Sequence, residues 1–462
     1  MFWEVFHLQI KVFLEEVCNQ IKYKPIRKNI SEELENHIQE TKDAYIQDGL
    51  TPKEAEQKAV DIMGNAEELG KKLNKIHKPK LDWKLLLIIA ILLFFGFLVV
   101  LIRVENGLGG YVSESNIGKY IISLMIGLTL SLIIYFIDYT KINKYSSILY
   151  LISTLLIIFS LIIGNDIDGV SHLRIGTITF SPVIIAVPLY IIAFVGFINN
   201  LNKKSKLEAI ISQYININIK VNVNLVKIIL LSILSLLFIS LIPSTSSIFI
   251  LGTVYLIITT VKIIQLKENK VRRLAILWGT VGILGIILLI QIMGFSSFRW
   301  NRLAVAINPQ IDPDGGGWIA LNREQIINSA KMFGEAQYQT EAINLFDEGT
   351  DFAFISILAH YGWIASIAII LAVTLLSIKL ILNAIKIKDN YGKLLIIGIS
   401  SMFILQSIFN ILMNMNSWID SSLNLPFVSY GGTNLIINMM SLALILSIYR
   451  KKDVILTYSV QN

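Results

Sequence analysis

The chain has 462 residues, of which 54% are hydrophobic and only 16% charged, with a mean hydropathy of +0.64. A soluble domain of this length has no use for so much apolar surface, so the composition selects a polytopic membrane protein. The formal net charge of +7 does not argue for nucleic acid, because basic loops on one face of a membrane produce such an excess by themselves.

Residues 1–80 read as a separate soluble helical unit. The apolar patch Met1–Ile10 is too short for a cleavable leader and runs into charged sequence, so no signal peptide is expected. Ser31 to Gln47 carries acidic residues early and apolar residues at helical spacing. Thr51-Pro52-Lys53-Glu54 is a capping box with proline in the first turn, predicting a helix that ends near Gly64. Asn65-Ala66-Glu67-Glu68 caps a further helix that fades into Lys78-Pro79-Lys80. This pattern resembles the helical prefix domain of some Gram-positive membrane proteins, which implies an accessory or sensing role; a bundle that merely folds is the plainer reading.

From Trp83 onward ten apolar runs are long enough to cross a bilayer, centred on 84–102, 117–137, 145–163, 180–198, 225–242, 246–264, 274–294, 352–380, 393–413 and 426–449. Lys141 and Lys144, Lys203 to Lys206, Lys267 to Arg273, Lys386 and Lys388, and Arg450 to Lys452 all fall on one side. The positive-inside rule then puts both termini in the cytoplasm and the long polar loop outside. The expected fold class is an all-α polytopic membrane protein with ten transmembrane helices, a small N-terminal soluble domain (1–80) and one large extracellular loop (296–351). The membrane domain covers 81–452 and a cytoplasmic tail 453–462. Between the fourth and fifth runs, 200–224 alternates apolar and polar residues and reads as an interfacial stretch.

Three stretches hold chemistry-bearing residues. The polar loop opens with Arg299, Trp300 and Arg302, passes through Asn308-Pro309 and Asp312-Pro313, and closes on Thr350-Asp351-Phe352 at the start of the eighth run. An acid where water meets a membrane helix is a functional candidate. With Thr350 as N-cap, Asp351 falls in the first helical turn, where amides and the helix dipole favour its ionised form. It suits a general base, or else only complements the helix end. At the start of the last run, Asn424 to Asn434 includes Pro426, Ser429, Tyr430, Gly431 and Gly432, which permit a helix break or close helix packing. Before the fourth run, His172 and Arg174 either meet a phosphate or are solvated loop residues. Cys18 is the single cysteine, and His7, His37, His77, His172 and His360 are scattered, so no metal set is legible.

Leu425-Pro426-Phe427-Val428-Ser429-Tyr430-Gly431-Gly432-Thr433 resembles the last-span signature of the SEDS family of membrane glycosyltransferases, the FtsW/RodA/SpoVE type. Thr350-Asp351-Phe352-Ala353-Phe354 is similar to that family's Thr-Asp-Phe-Ile-Phe motif, whose aspartate is regarded as catalytic. Asn308-Pro309, Asp312-Pro313, Gly317-Trp318, Ile137-Asp138-Tyr139 and Gln406 through Asn410 fit in order, so that the resemblance covers 83 to 452. Departures cluster around the fourth run. Where the family has Gln-Pro-Ser-Glu and then lysine, this chain has Ser181-Pro182-Val183-Ile184 and Val187; His360-Tyr361 replaces a Glu-Glu and Ile319 a glutamine.

The resemblance implies a peptidoglycan glycosyltransferase that polymerises lipid II, the undecaprenyl-pyrophosphate-linked disaccharide peptide, at the outer face of the bacterial cytoplasmic membrane. Asp351 is then the catalytic residue, with Arg174, His172, Arg299, Arg302, Asp312, Thr350, Ser429, Tyr430, Gly431 and Gly432 as substrate-binding candidates. The departing pyrophosphate needs a basic group or a divalent cation such as Mg or Mn. A single-span class B penicillin-binding protein, a transpeptidase, is the implied partner. Two alternatives stay open: a non-catalytic regulator or scaffold, motivated by the missing glutamate and lysine, and a flippase for the lipid-linked precursor.

Overall fold

The structure, a computed structural model, describes residues 8–76, 81–105, 113–167, 170–175, 178–201, 223–242, 244–265, 304–337, 346, 350–420 and 422–452. The contacts divide it into two units, one formed by Met1–Asp82 with Ile448–Asn462 and the other by Trp83–Ser447.

The first unit carries helices α1 (Leu8–Gln20), α2 (Lys24–Gln47), α3 (Pro52–Ile62) and α4 (Ala66–Ile76). Ile10, Phe13, Leu14, Val17 and Ile21 recur at the spacing of one helix face, and all are buried against Ile26, Ile30 and Ile38 of α2. The capping box is present as the sequence predicts. The Thr51 side chain accepts from the Glu54 amide, and the Glu54 carboxylate accepts from the Thr51 amide at 3.2 Å. Asn65 likewise accepts from the Glu68 amide at 3.0 Å and opens α4. Lys42 and Glu56 form a buried pair at 2.6 Å between α2 and α3, which ties the two helices in one register.

The second unit is a helical membrane bundle: α5 (Trp83–Glu105), α6 (Ser113–Phe136), the short α7 (Tyr139–Ile142), α8 (Ser146–Ile163), α9 (Pro182–Asn199), α10 (Val223–Leu241), α11 (Thr245–Gln265), α12 (Trp318–Ser329), α13 (Ala353–Tyr361), α14 (Trp363–Lys386), α15 (Asn390–Asn414) and α16 (Gly432–Arg450). Among the described residues eight helices are long and apolar enough to span a bilayer, and α10 offers a shorter apolar stretch, Lys227–Leu241. The run expected at 274–294 lies outside the described residues, as do Arg299, Arg302 and all but the ends of the interfacial stretch 200–224.

Burial separates core from rim. α9 packs against α8, α11 and α15 and is, with α16, one of the two most enclosed spans among the described residues, with Ala186, Tyr190, Ile191, Ala193 and Val195 fully buried. α6 instead presents Ile121, Ile122, Met125, Leu132 and Ile133 outward, as a helix meeting lipid does. Gly96 of α5 allows a close backbone approach, since a Cβ there would lie 2.6 Å from the Phe427 carbonyl oxygen.

Three sequence expectations change. The eighth run does not start a single long helix. Gly362, at φ +81°, breaks it into α13 and α14, a conformation that glycine adopts without a side-chain clash. The last span begins at Gly432 and not near Pro426, because Leu425 to Tyr430 is folded into turns with Phe427 at φ +66°. The stretch read as a loop before the fourth run contains a three-stranded antiparallel meander, β1 (Asn165–Ile167), β2 (Val170–Ile175) and β3 (Ile178–Phe180), with Asn165 opposite His172 and Leu173 opposite Phe180.

Candidate functional site

Asp351 occupies a turn immediately before α13. Thr350 is not the N-cap; Phe352 holds that position, without a side-chain cap bond. The turn is fixed through its backbone. Asn410 and Asn414, four apart on α15 and therefore on one face, both donate from Nδ2 to the Asp351 carbonyl oxygen, at 2.8 and 3.1 Å. Asn410 also donates to the Leu423 carbonyl at 2.5 Å, and Asn414 Oδ1 accepts from the Ile355 amide at 3.3 Å. One pair of amides thus joins the Asp351 turn, the start of α13 and the segment before the last span.

Among the described residues the carboxylate itself has a single side-chain hydrogen bond, from the Thr350 hydroxyl at 3.2 Å. The expectation of an amide-stabilised anion is reversed. Burial pushes Asp351 up from its ordinary 3.8 to about 6, and the Thr350 hydrogen bond only partly offsets this. A carboxylate in that range is still ionised at neutral pH, and it is a stronger base than a solvated one.

Asp351 opens on a cavity of about 380 Å³ built from seven segments, its own turn included. His172 of β2 stands on its wall. α9 supplies Val183, Ile184 and Val187, preceded by its N-cap Ser181; Ser244, Ser247 and Ile250 come from the start of α11. Met402 and Gln406 of α15, Ser422 to Asn424, and Asn434, Ile437 and Asn438 of α16 complete it beside Thr350 and Phe352. Asp351 and His172 are the titratable groups among these lining residues; the other polar ones are hydroxyls and amides. Such groups recognise the hydroxyls and acetamido groups of sugars by hydrogen bonds. The two positions where the family pattern expects glutamate and lysine, Ile184 and Val187, both face this cavity and make its α9 wall apolar.

Of the candidates read from the sequence, Asp351, Thr350 and His172 are therefore brought together. Arg174 is exposed on β2 and is not part of the lining. Asp312 accepts from the Gly316 amide at 2.8 Å and shapes its own loop. Ser429 accepts from the Leu425 amide at 2.7 Å, holding the turns before α16, while the Tyr430 ring lies under the Arg103 guanidinium at 4.8 Å. Gly431 and Gly432 carry the chain from those turns into α16, and a Cβ on Gly432 would strike Ser123. The sequence reading gave no role to Asn410, Asn414, Asn424, Asn434 or Asn438. Its available signal was amides at four-residue spacing on apolar spans, where polar side chains are costly and need a reason.

For a divalent cation, no cluster of three or more His, Cys, Asp or Glu occurs among the described residues. One carboxylate with amide oxygens around it is an incomplete set for an all-protein site, and it fits a Mg²⁺ or Mn²⁺ only if diphosphate oxygens supply the remainder.

A family model described as a cell cycle protein, covering FtsW, RodA and SpoVE, matches residues 83–454. A probable peptidoglycan glycosyltransferase FtsW of Idiomarina loihiensis is 23% identical over 389 residues, 81% of this chain and 88% of that protein. Another of that name from Trichlorobacter lovleyi is 27% identical over 195 residues, 42% of this chain; the match spans 51% of that relative's length. Among solved structures, a chain of a peptidoglycan synthase complex that coordinates polymerization and crosslinking aligns with a TM-score of 0.59 at 18% identity, over 80% of this chain and 98% of that one. The rod shape determining protein RodA of Thermus thermophilus aligns with a TM-score of 0.51 at 17% identity, over 80% and 97%. At these identities the structural likeness is one of fold.

Proposed function

The chain belongs to the FtsW/RodA/SpoVE family, and from that premise we propose that it is a peptidoglycan glycosyltransferase that polymerises lipid II at the outer face of the cytoplasmic membrane. The observation that carries this reading is Asp351, a carboxylate with its pKa raised to about 6, on the wall of a cavity lined with amides and hydroxyls. In the reaction the acceptor sugar's hydroxyl gives its proton to Asp351 while its oxygen attacks the anomeric carbon of the donor. The bond from that carbon to the diphosphate breaks, and undecaprenyl diphosphate leaves with the electron pair. The Asn410 and Asn414 amides hold the Asp351 backbone still while its carboxylate stays available to the hydroxyl. His172 presents an imidazole to the same cavity, where it can meet the departing diphosphate. Arg174, Arg299 and Arg302 are the further cations we assign to that role. A bound divalent cation would supply charge neutralisation to the diphosphate.

The proposal includes a topology with both termini in the cytoplasm and the polar loop outside, supported by the distribution of lysine and arginine. It also includes a single-span transpeptidase partner, supported by the fold shared with a chain of a synthase complex. The test is polymerisation of lipid II by the purified protein. Wild type should make glycan strands and Asp351→Asn none, at equal yield and with an equal elution profile; an active Asp351→Asn protein would remove the assigned base.

A second reading, a non-catalytic regulator or scaffold, is favoured by one observation: Ile184 and Val187 line the cavity where charged groups are expected. It predicts no polymer from wild type, with any transpeptidase added, and full biological function for Asp351→Ala in cells.

A further inference from the structure

Outside the cavity, the polar group that packing accounts for least is Arg323 on α12. Its side chain is almost completely buried, yet among the described residues it has one ion-pair partner, Asp420, at 2.6 Å. Its Nε and Nη1 are buried with no hydrogen-bond partner among the described residues. Taking a guanidinium out of water and leaving two donors unmet is costly. A buried ion pair replaced by well-packed apolar groups is often neutral or stabilising. Stability therefore does not explain this residue, and its location suggests a different role.

Arg323 contacts one residue of the cavity wall and one residue that adjoins another wall segment. Its guanidinium carbon lies 5.7 Å from the centre of the Phe352 ring, within cation–π range. Phe352 is the residue after Asp351 and is itself part of the cavity wall. The ion-pair partner of Arg323, Asp420, is two residues before Ser422, where a neighbouring wall segment begins. Asn416 ties the same two segments a turn away, donating to the Ala320 carbonyl of α12 at 2.7 Å.

We propose that Arg323 is a positioning residue for Asp351: its ion pair with Asp420 clasps α12 to the segment before the last span, and its contact with Phe352 sets the Asp351 turn against the cavity. This rests on the polymerase reading for its consequence, although the clasp can be measured without it. The pair also fits a strapping role because it is not sealed off. The Asp420 side chain keeps 29% of its exposure while that of Arg323 keeps 2%, so Asp420 is the solvent-facing end of the pair.

The experiment compares the full-length wild type with Arg323→Met, Arg323→Lys and Asp420→Asn in detergent or nanodiscs. Each is scored for thermal midpoint, for kcat and KM on lipid II, and for the rate at which a carbodiimide modifies Asp351, read by mass spectrometry. Arg323→Met is expected to melt at or near the wild-type temperature while kcat falls on the order of ten- to a hundredfold and KM changes little. Arg323→Lys recovers part of the loss, and labelling of Asp351 changes several-fold. The proposal is overturned if Arg323→Met and Asp420→Asn keep wild-type kcat, or if activity falls only in step with the folded fraction. Should wild type make no polymer, the polymerase reading fails alone. The labelling rate then decides the clasp: a change supports it, and equal rates in wild type and Arg323→Met refute it.

Discussion

Asp351 is held by its main chain and left open at its carboxylate. Two amides bind the carbonyl oxygen, and among the described residues the carboxyl group has the Thr350 hydroxyl alone. If Asp351 is the base, its raised pKa of about 6 makes kcat/KM fall as pH drops below that value, a limb that a pH–rate profile would reveal. The same shift bears on stability with the opposite sign. A carboxyl whose folded pKa is raised favours folding when protonated, and that contribution is lost as pH rises from about 4 through 6. Asp351→Asn carries no such loss, so above pH 6 it should be more stable than wild type, by up to about 3 kcal/mol from the shift, and the gap should close near pH 4. Melting curves at both pH values check this. Asn410→Ala would remove the Leu423 carbonyl's amide partner and leave the Asp351 carbonyl to Asn414 alone, costing about 1–3 kcal/mol and lowering kcat. A variant with unchanged melting and turnover would show that these bonds position nothing.

The break between α13 and α14 decides where the Asp351 turn stands relative to the membrane spans. Gly362 admits it, and the Lys331 and Met332 carbonyls accept from the Trp363 and Ile364 amides at 3.0 and 3.2 Å, so the polar loop satisfies the N-terminus of α14. A Cβ on Gly362 would lie 2.6 Å from the Lys331 oxygen, in addition to the strain of φ +81°. Gly362→Ala should therefore destabilise by about 1–3 kcal/mol and raise the proteolytic sensitivity of the loop near Lys331. Limited proteolysis with a trypsin-like enzyme, compared at equal time points, is the measurement. This break explains why an uninterrupted apolar run from 352 to 380 misleads: hydropathy registers transfer to lipid, whereas one residue at positive φ redirects the chain at no cost in hydropathy.

Every residue of the described cavity lies between His172 and Asn438, within the unit Trp83–Ser447. Removing residues 1–80 should accordingly leave polymerisation by the purified membrane unit near the wild-type rate, with altered regulation as the expected cellular effect. A truncated protein that elutes normally yet makes no polymer would place part of the chemistry in the N-terminal unit.

What the sequence determined by itself was whatever depends on neighbours along the chain. Helix starts at Thr51 and Asn65 are local hydrogen-bond arrangements between residues three apart, and the spans follow from about twenty apolar residues at 1.5 Å each. The aspartate was legible because an acid beside an apolar run is rare, and because its flanking residues carry the resemblance. Tertiary structure decided the rest. Asn410 meets Asp351 across 59 residues of chain, and Arg323 meets Asp420 across 97. Neither spacing leaves any periodic trace. The protonation behaviour of Asp351 reversed for the same reason, since desolvation is set by what packs around a group and not by what adjoins it.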